Sequence, residues 1–187
     1  MPEVQKPVLE QTPEEKMMPE IALTQGMSAV VDAENLDYLN QWKWHLQRVG
    51  KLSYAVRANA VEGEPRGILM HRQILGDPKG RQIDHKDGDG LNNCRSNLRV
   101  CTHQQNHFNL RNQINTSSVY KGVHWSKNKR KWRACLRMNG KFKHIGYFEG
   151  ETQAALAYNR VALDYFGEFA RLNEVCSAYQ RDCKTIF

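Results

Sequence analysis

The 187-residue sequence has no apolar run long enough to cross a bilayer, which argues against a membrane protein or a membrane partner. Its five cysteines show no paired Cys-x-x-Cys spacing, so a zinc site is not expected. An odd number of cysteines is typical of reduced thiols, and the N-terminus is too acidic and polar for a signal peptide. We therefore expect a cytoplasmic protein.

Acidic residues are also outnumbered. The 20 Asp and Glu stand against 27 Lys and Arg, which gives a net charge of +7 and a pI of about 9.2. This balance favours an anionic partner such as nucleic acid, although many basic surfaces are simply solvated. The length allows one or two domains, each with a core of its own.

The stretch 81–106 concentrates acid, imidazole and amide side chains in a short pattern of strand, loop, strand and helix. Residues 81–85 suit a strand, and a polar loop with two glycines follows. In residues 96–101 apolar and polar side chains alternate, as in a second strand. Thr102 can cap a helix that carries Asn106. Such a strand pair brings the end of its first strand near that helix.

These residues resemble the HNH motif, also called ββα-metal, in the Asp-His…Asn…Asn form of phage and intron homing endonucleases. The Asp-His pair falls at Asp84 and His85, the second-strand Asn at Asn97, and the helix Asn at Asn106. The resemblance implies a DNA nuclease in which Asp84 and Asn106 hold a metal. His85 would be the general base, and Asn97 would fix its ring. Mg²⁺ is the expected metal and Mn²⁺ the alternative, because hard cations prefer oxygen ligands.

Two other interpretations of this stretch are open. The run from Asp87 to Gly90 suits an ordinary turn, with His85 an ordinary strand residue. A calcium-binding loop of the EF-hand type is a further alternative, but it lacks the Glu at the twelfth position and the flanking helices. The agreement of four spaced residues favours the nuclease interpretation.

Residues 1–19 are rich in Pro, Glu and Gln, and we expect a disordered tail there. Residues 20–112 are the expected nuclease domain, which begins with a β-rich module. In that module the sequence predicts strands at 21–24, 28–32 and 54–57, a helix at 33–41 that ends near Trp42 and Trp44, and a strand that turns helical within 68–76.

With Trp42-Lys-Trp44, Tyr54-Ala55 and Met70-His-Arg72, the β-rich module resembles the N-terminal part of phage HNH proteins. The resemblance implies that His71 and Arg72 lie beside the active site and that Arg72 touches phosphate. A structural histidine that packs the helix on the hairpin is the favoured interpretation of His71.

A second pattern follows a predicted linker at 113–116. The runs 119–125, 131–138 and 141–148 suit three strands, and the Asn-Gly pair between the last two is a strong hairpin signal. Residues 152–166 suit an amphipathic helix with Ala155, Tyr158, Ala162 and Phe166 on one face. The expected fold class is therefore α+β: an HNH hairpin with its β-rich module, then a three-stranded antiparallel sheet packed on one helix.

The second pattern resembles the plant ethylene-response-factor (Apetala-type) DNA-binding domain over residues 117–173. The matching motifs include Tyr120-Lys-Gly-Val, Ile145-Gly-Tyr-Phe and Ala170-Arg-Leu-Asn173. The resemblance implies double-stranded DNA as partner, read in the major groove by one face of the sheet. We expect that face to collect Lys121, Arg137 and Lys143. Together with the N-terminal module, the expected DNA-binding residues are Arg72, Lys121, His124, Ser126, Arg133, Arg137, Lys143, His144 and Tyr158.

Departures from the plant family, including Lys121 for a usual Arg and Cys135 for a charged residue, mean that the plant target sequence is not carried over. The opposing interpretation is that Trp125 and Trp132 are core residues and that the basic strands form a solvated face. Residues 174–187 are an uninformative tail.

The two resemblances together predict a site-specific homing-type DNA endonuclease. One alternative is a DNA-binding transcription regulator with an inactive HNH scaffold, and another is an RNA-directed or nonspecific nuclease. A monomer that nicks DNA is expected, with a dimer that makes a double-strand break as the alternative.

Overall fold

The computed structural model describes residues 18–61, 64–110, 116–138 and 140–175. The described residues divide into two compact units, one within residues 1–74 with 90–95 and the other within residues 75–89 with 96–187. Most of the predicted linker and of both predicted tails lies outside the described residues.

The first unit contains two small antiparallel sheets and two short helices. Strand β1 (Glu20–Ala22) pairs with β2 (Ser28–Val30), and helix α1 (Ala33–Leu39) follows. Three consecutive antiparallel strands then lead into helix α2: β3 (Trp44–Val49), β4 (Leu52–Val61), β5 (Glu64–Leu69) and α2 (Met70–Leu75).

Strand β3 was not predicted, because Trp42 and Trp44, which lie just before and at its start, were assigned to the end of a helix. The helix ends earlier, and the indole of Trp44 is buried with its Nε1 donating to the Leu39 carbonyl at 2.8 Å. The side chains of Leu39, Trp44 and Met70 are almost fully buried and belong to the core of this unit. The other predicted elements of the module are confirmed, with shifted ends.

Residues 90–95 join the first unit through backbone hydrogen bonds to β2. The Val30 amide donates to Leu91 at 2.9 Å, and the Asn93 amide donates to Val30 at 2.8 Å. Gly90 leaves no room for a side chain, because a Cβ there would lie 2.3 Å from the Ser53 carbonyl oxygen. The connection between the two strands of the predicted hairpin thus passes through the first unit.

The second unit contains the predicted hairpin and the predicted three-stranded sheet. The hairpin consists of β6 (Gln82–His85), β7 (Leu98–Cys101) and helix α3 (His103–Phe108). The later elements are β8 (Val123–Ser126), β9 (Lys131–Met138), β10 (Lys141–Phe148), helix α4 (Glu151–Phe166) and a 3-10 helix (Gly167–Phe169).

In the C-terminal sheet, which comprises β8, β9 and β10, the central strand is β9 and all neighbours are antiparallel. Helix α4 packs on one face, where Ala155 meets Val123 and Ala134, and Tyr158 meets Leu136. These contacts confirm the α+β fold class, including the sheet packed on one helix.

Gly122 enables the close packing of α4. Its φ of +74° favours glycine, and a Cβ there would lie 2.2 Å from the Tyr158 ring and 2.6 Å from the Cys135 carbonyl oxygen. Cys135 is one of three free, buried cysteines among the described residues, with Cys94 and Cys101. No helix in the described ranges has the length and apolar character needed to span a membrane.

Candidate active site

The hairpin places its polar residues by strand register and by a helix cap. Asp84 lies opposite Arg99, and His85 lies opposite Leu98. Helix α3 begins at a capping box: the Thr102 hydroxyl accepts from the Gln105 amide at 3.1 Å, and the Gln105 side chain accepts from the Thr102 amide at 2.8 Å. Two of the backbone donors that lack a partner within this short helix are thereby satisfied, as predicted from Thr102.

Asp84 is buried, and its carboxylate is paired with Arg99. Arg99 donates from Nε at 2.9 Å and from Nη2 at 2.7 Å, both to Oδ2 of Asp84. The two residues face each other across the strand pair, so the register alone brings them together. Both N–H groups meet one oxygen of a buried carboxylate, and such charge-assisted bonds are strong.

Asn109, just beyond the end of α3, completes the surroundings of Asp84. It is 6% exposed, and its Nδ2 lies 3.0 Å from Oδ1 and 3.2 Å from Oδ2 of Asp84. The same nitrogen donates to the His85 carbonyl at 2.8 Å. One amide therefore fixes both residues of the Asp-His pair.

Asn106, the expected helix ligand, lies one helical turn earlier and is partly exposed. Its Nδ2 donates to the Gln82 side chain at 2.9 Å. The oxygen of the same amide is the atom that a cation would use.

His85 is 5% exposed at the end of β6. The loop that follows is ordered by Asn97: its Oδ1 accepts from the Asp87 amide at 3.1 Å, and its Nδ2 donates to the Asp87 carboxylate at 3.0 Å. The Gly88 amide donates to the His85 carbonyl at 2.9 Å, at a φ of +75° that favours glycine. Asn97 is thus placed to hold the loop on the C-terminal side of His85.

The oxygen-rich donor set of this site fits a hard divalent cation. No group of three or more His, Cys, Asp or Glu in the described part of the chain could hold a metal. A cation here would therefore depend on the Asp84 carboxylate, an amide oxygen such as that of Asn106, and oxygens of water and phosphate.

The predicted DNA-binding residues fall into different environments. Arg72 lies on α2 in the first unit and is partly exposed. Tyr158 is buried in the core of the second unit, where burial raises the pKa of its phenol. Lys121 donates from Nζ to the Phe108 carbonyl at 2.5 Å, and burial, followed by the charge of Arg171, lowers its pKa to about 8.

One face of the C-terminal sheet, away from α4, carries most of the remaining predicted residues. Arg133 and Arg137 alternate with the buried Ala134 and Leu136, and His124 lies opposite Arg133. Residues that lie opposite each other on adjacent strands are on the same face of a sheet. Three aromatic rings of β10 are therefore on this face, because Phe142 lies opposite Arg137, Tyr147 opposite Arg133, and His144 opposite Cys135. Ser126 lies opposite Lys131 at the end of the sheet.

The expectation that Lys121, Arg137 and Lys143 share one face is wrong. Lys143 lies opposite Leu136, so its side chain projects to the α4 side, where its Nζ bonds to the Tyr165 hydroxyl. Its Nζ also lies 4.1 Å from the centre of the Tyr165 ring. Lys121 precedes β8 and contacts α3 instead.

Arg99 and Asn109 were missed by the sequence-based prediction. A signal for Arg99 was available, because pairing two short strands that end at His85 and begin at Leu98 places Arg99 opposite Asp84. Asn109 lies three residues beyond Asn106, on the same face of a helix, so it was the next amide able to reach the same strand.

Comparisons with known proteins identify the family to which this hairpin belongs. A family model described as HNH endonuclease matches residues 69–108, which include β6, β7 and α3. The chain is 34% identical over 151 residues to an uncharacterized HNH endonuclease, L560, of Acanthamoeba polyphaga mimivirus, covering 80% of this chain and 76% of the relative. It is also 34% identical over 94 residues to Protein 3.8 of Escherichia phage T7, covering 50% of this chain and 77% of that protein. No solved structure is significantly similar.

Proposed function

We propose that this chain, which belongs to the HNH endonuclease family, is a site-specific, metal-dependent DNA endonuclease of the homing type. The observation that carries the proposal is the buried Asp84-His85 pair at the end of β6, held by Asn109 and Arg99. The proposed reaction uses a carboxylate as metal ligand and an imidazole as general base, and this hairpin holds both groups.

In the proposed reaction His85 accepts a proton from the attacking water, which requires a neutral imidazole near physiological pH. Asn97 keeps the loop after His85 in place through Asp87. Asp84 and Asn106 would hold the divalent cation, Mg²⁺ or alternatively Mn²⁺. When bound, the cation would polarise the scissile phosphate and stabilise the leaving oxygen.

For site choice we propose the C-terminal sheet, as a domain resembling the ethylene-response-factor type. Its exposed face combines guanidinium groups with aromatic rings, for example Arg137, which lies 5.7 Å from the Phe142 ring centre. Guanidinium groups recognise guanine edges and phosphates in the major groove. The proposed contact residues on this face are His124, Ser126, Arg133, Arg137 and His144, and Arg72 would contact phosphate from the first unit.

The proposed division of labour assigns cleavage to residues 20–112 and site choice to residues 117–173. A hairpin with few base contacts gains selectivity from a second DNA-binding surface in the same chain. One such hairpin per chain makes a nick the expected product.

The test uses the full chain with duplex DNA that flanks its own gene, in Mg²⁺ and in a chelator. We expect nicking at one place, in Mg²⁺ only, and no nicking by His85→Ala. DNA binding without cutting in Mg²⁺ or Mn²⁺ would instead support a transcription regulator with an inactive scaffold. Equal degradation of RNA and of unrelated DNA would support a nonspecific nuclease.

A further inference from the structure

The C-terminal end of α4 and the residues after it lie against the hairpin. We call residues 166–171 the docking segment. The Phe166 ring stacks on the Phe108 ring of α3, with centres 3.7 Å apart and planes at 15°. Arg171 donates from its backbone amide to the Phe108 carbonyl at 3.4 Å and from Nη1 to the Asp87 carbonyl at 2.8 Å. The docking segment therefore contacts both α3 and the loop that follows His85.

Arg99 joins the docking segment to Asp84. Its Nη1 donates to the Glu168 carbonyl, and its guanidinium carbon lies 4.3 Å from the centre of the Phe169 ring. Its Nε and Nη2 donate to Asp84, at 2.9 Å and 2.7 Å. The guanidinium edge is thus shared between a carboxylate and a carbonyl, while an aromatic ring covers one face.

These contacts restrict the orientation of the Arg99 guanidinium, and this orientation determines where its N–H groups hold the Asp84 carboxylate. A planar guanidinium has a fixed arrangement of N–H groups, so a carbonyl on one side and a ring on the face leave one orientation for the remaining N–H groups. The Arg99 side chain is 10% exposed and that of Asp84 is 6% exposed, so water competes little for these bonds.

We propose that Arg99 is a positioning residue for the Asp84 carboxylate and that the docking segment holds Arg99 in this role. The inference rests on the proposed function, in which Asp84 is a metal ligand. It implies that the C-terminal part of the chain contributes to the order of the catalytic hairpin, in addition to any contribution to site choice.

The charge of Arg99 and its geometry have opposite effects on a nearby cation. A positive guanidinium repels a divalent metal, whereas a fixed carboxylate lowers the cost of organising the site. Arg99→Lys separates the two effects, because it keeps the charge but loses the planar set of N–H groups. Phe169→Ala keeps Arg99 and removes only the ring beside it. Leu163→Ala, at an exposed position of α4 away from the contacts, is the matched control.

The primary measurement is Mn²⁺ binding to the full, DNA-free chain by calorimetry. We expect Arg99→Lys and Phe169→Ala each to raise the Kd about tenfold, the lower end of what loss of a ligand-orienting residue costs, and Leu163→Ala to match the wild type. A wild-type Kd in Arg99→Lys would overturn the positioning role, because charge alone would then suffice. A wild-type Kd in Phe169→Ala would overturn the role of the docking segment, and this variant also serves if Arg99→Lys fails to fold.

A second measurement needs no metal. The Arg99 Nε–H group should exchange slowly with solvent in the wild type and at least several-fold faster in Phe169→Ala, as followed by ¹⁵N NMR. Unchanged exchange would show that the docking segment does not hold Arg99. If the wild type neither bound Mn²⁺ nor cut DNA, both the proposed function and the positioning role would be refuted. The exchange rates would still show whether the docking segment restrains Arg99.

Discussion

The hairpin and the C-terminal sheet use polar side chains in opposite ways. In the hairpin, Asp84, His85 and Asn109 are buried, and the bonds between them fix their positions. In the sheet, Arg133 and Arg137 are exposed on β9, whose buried Ala134 and Leu136 face α4. Bond cleavage requires fixed geometry, whereas contact with a long polyanion requires accessible charge. Substitutions in the hairpin should therefore change rate and stability, and substitutions in the sheet should change affinity.

The sharpest test of this contrast is His85→Ala. Loss of a general base costs on the order of a hundredfold or more in rate, so cleavage should fall below detection while affinity for duplex DNA stays close to the wild-type value. Single-turnover cleavage and filter binding measure the two properties. Val100→Ala, at an exposed position on β7, is the control. A wild-type cleavage rate in His85→Ala would remove His85 from the mechanism.

Substitutions of the two asparagines near the end of α3 should change different properties: one the stability of the fold, and the other the dependence of cleavage on Mg²⁺. Asn109→Ala removes the donor that the Asp84 carboxylate and the His85 carbonyl share, although both acceptors keep other donors. The loss of a buried hydrogen bond to a charged group should cost about 1–3 kcal/mol in the free energy of unfolding. Asn106→Ala, at a less buried position, should cost less stability but should raise the Mg²⁺ concentration needed for cleavage. Urea unfolding and Mg²⁺ titration of the cleavage rate would measure these effects. Equal stability losses, with unchanged Mg²⁺ titrations, would contradict both assignments.

Local patterns predicted the elements of both regions, but they did not predict all of the contacts. The bounds of β9 and β10 agree with the alternation of their side chains, and α3 begins at the predicted cap on Thr102. The face of Lys143 was predicted incorrectly because alternation was counted within each strand and not across the pair. The turn that pairs Met138 with Lys141 places Leu136 opposite Lys143.

Contacts between distant segments could not be predicted from local patterns. The docking segment and Arg99 are about seventy residues apart in the chain, and no periodicity signals such a contact. The bonds of the Asn97 side chain to Asp87 likewise depend on how the loop after His85 folds, and the expected action of Asn97 on the His85 ring stays a prediction.

Within the sheet, Arg137→Ala and Lys143→Ala form a matched pair. Each removes one positive charge, but Arg137 is on the exposed face and Lys143 is held by Tyr165 on the α4 side. Arg137→Ala should weaken DNA binding by about 1–3 kcal/mol if it reads a base, and Lys143→Ala by less. Competition binding against single-base variants of the cut site would also show relaxed preference for Arg137→Ala only. Equal effects would mean that charge, and not the exposed face, determines affinity.

Lys121 lies between the sheet and the hairpin, and its expected effect is a change in how stability depends on pH. Burial, and then the charge of Arg171, lowers its pKa from 10.5 to about 8 in the folded chain. Between about pH 8 and 10.5 the unfolded state therefore binds more protons than the folded state, so the contribution of Lys121 makes the free energy of unfolding rise with pH in that window. In Lys121→Met this rise should disappear, which urea unfolding at several pH values would detect as a wild-type advantage that grows with pH. Lys129→Met, in the turn before β9, controls for the loss of one positive charge. If the free energies of unfolding of the wild type and of Lys121→Met differed by the same amount at every pH in the window, Lys121 would not be buried against Phe108. The contact that joins the sheet to the hairpin at that point would then be disproved.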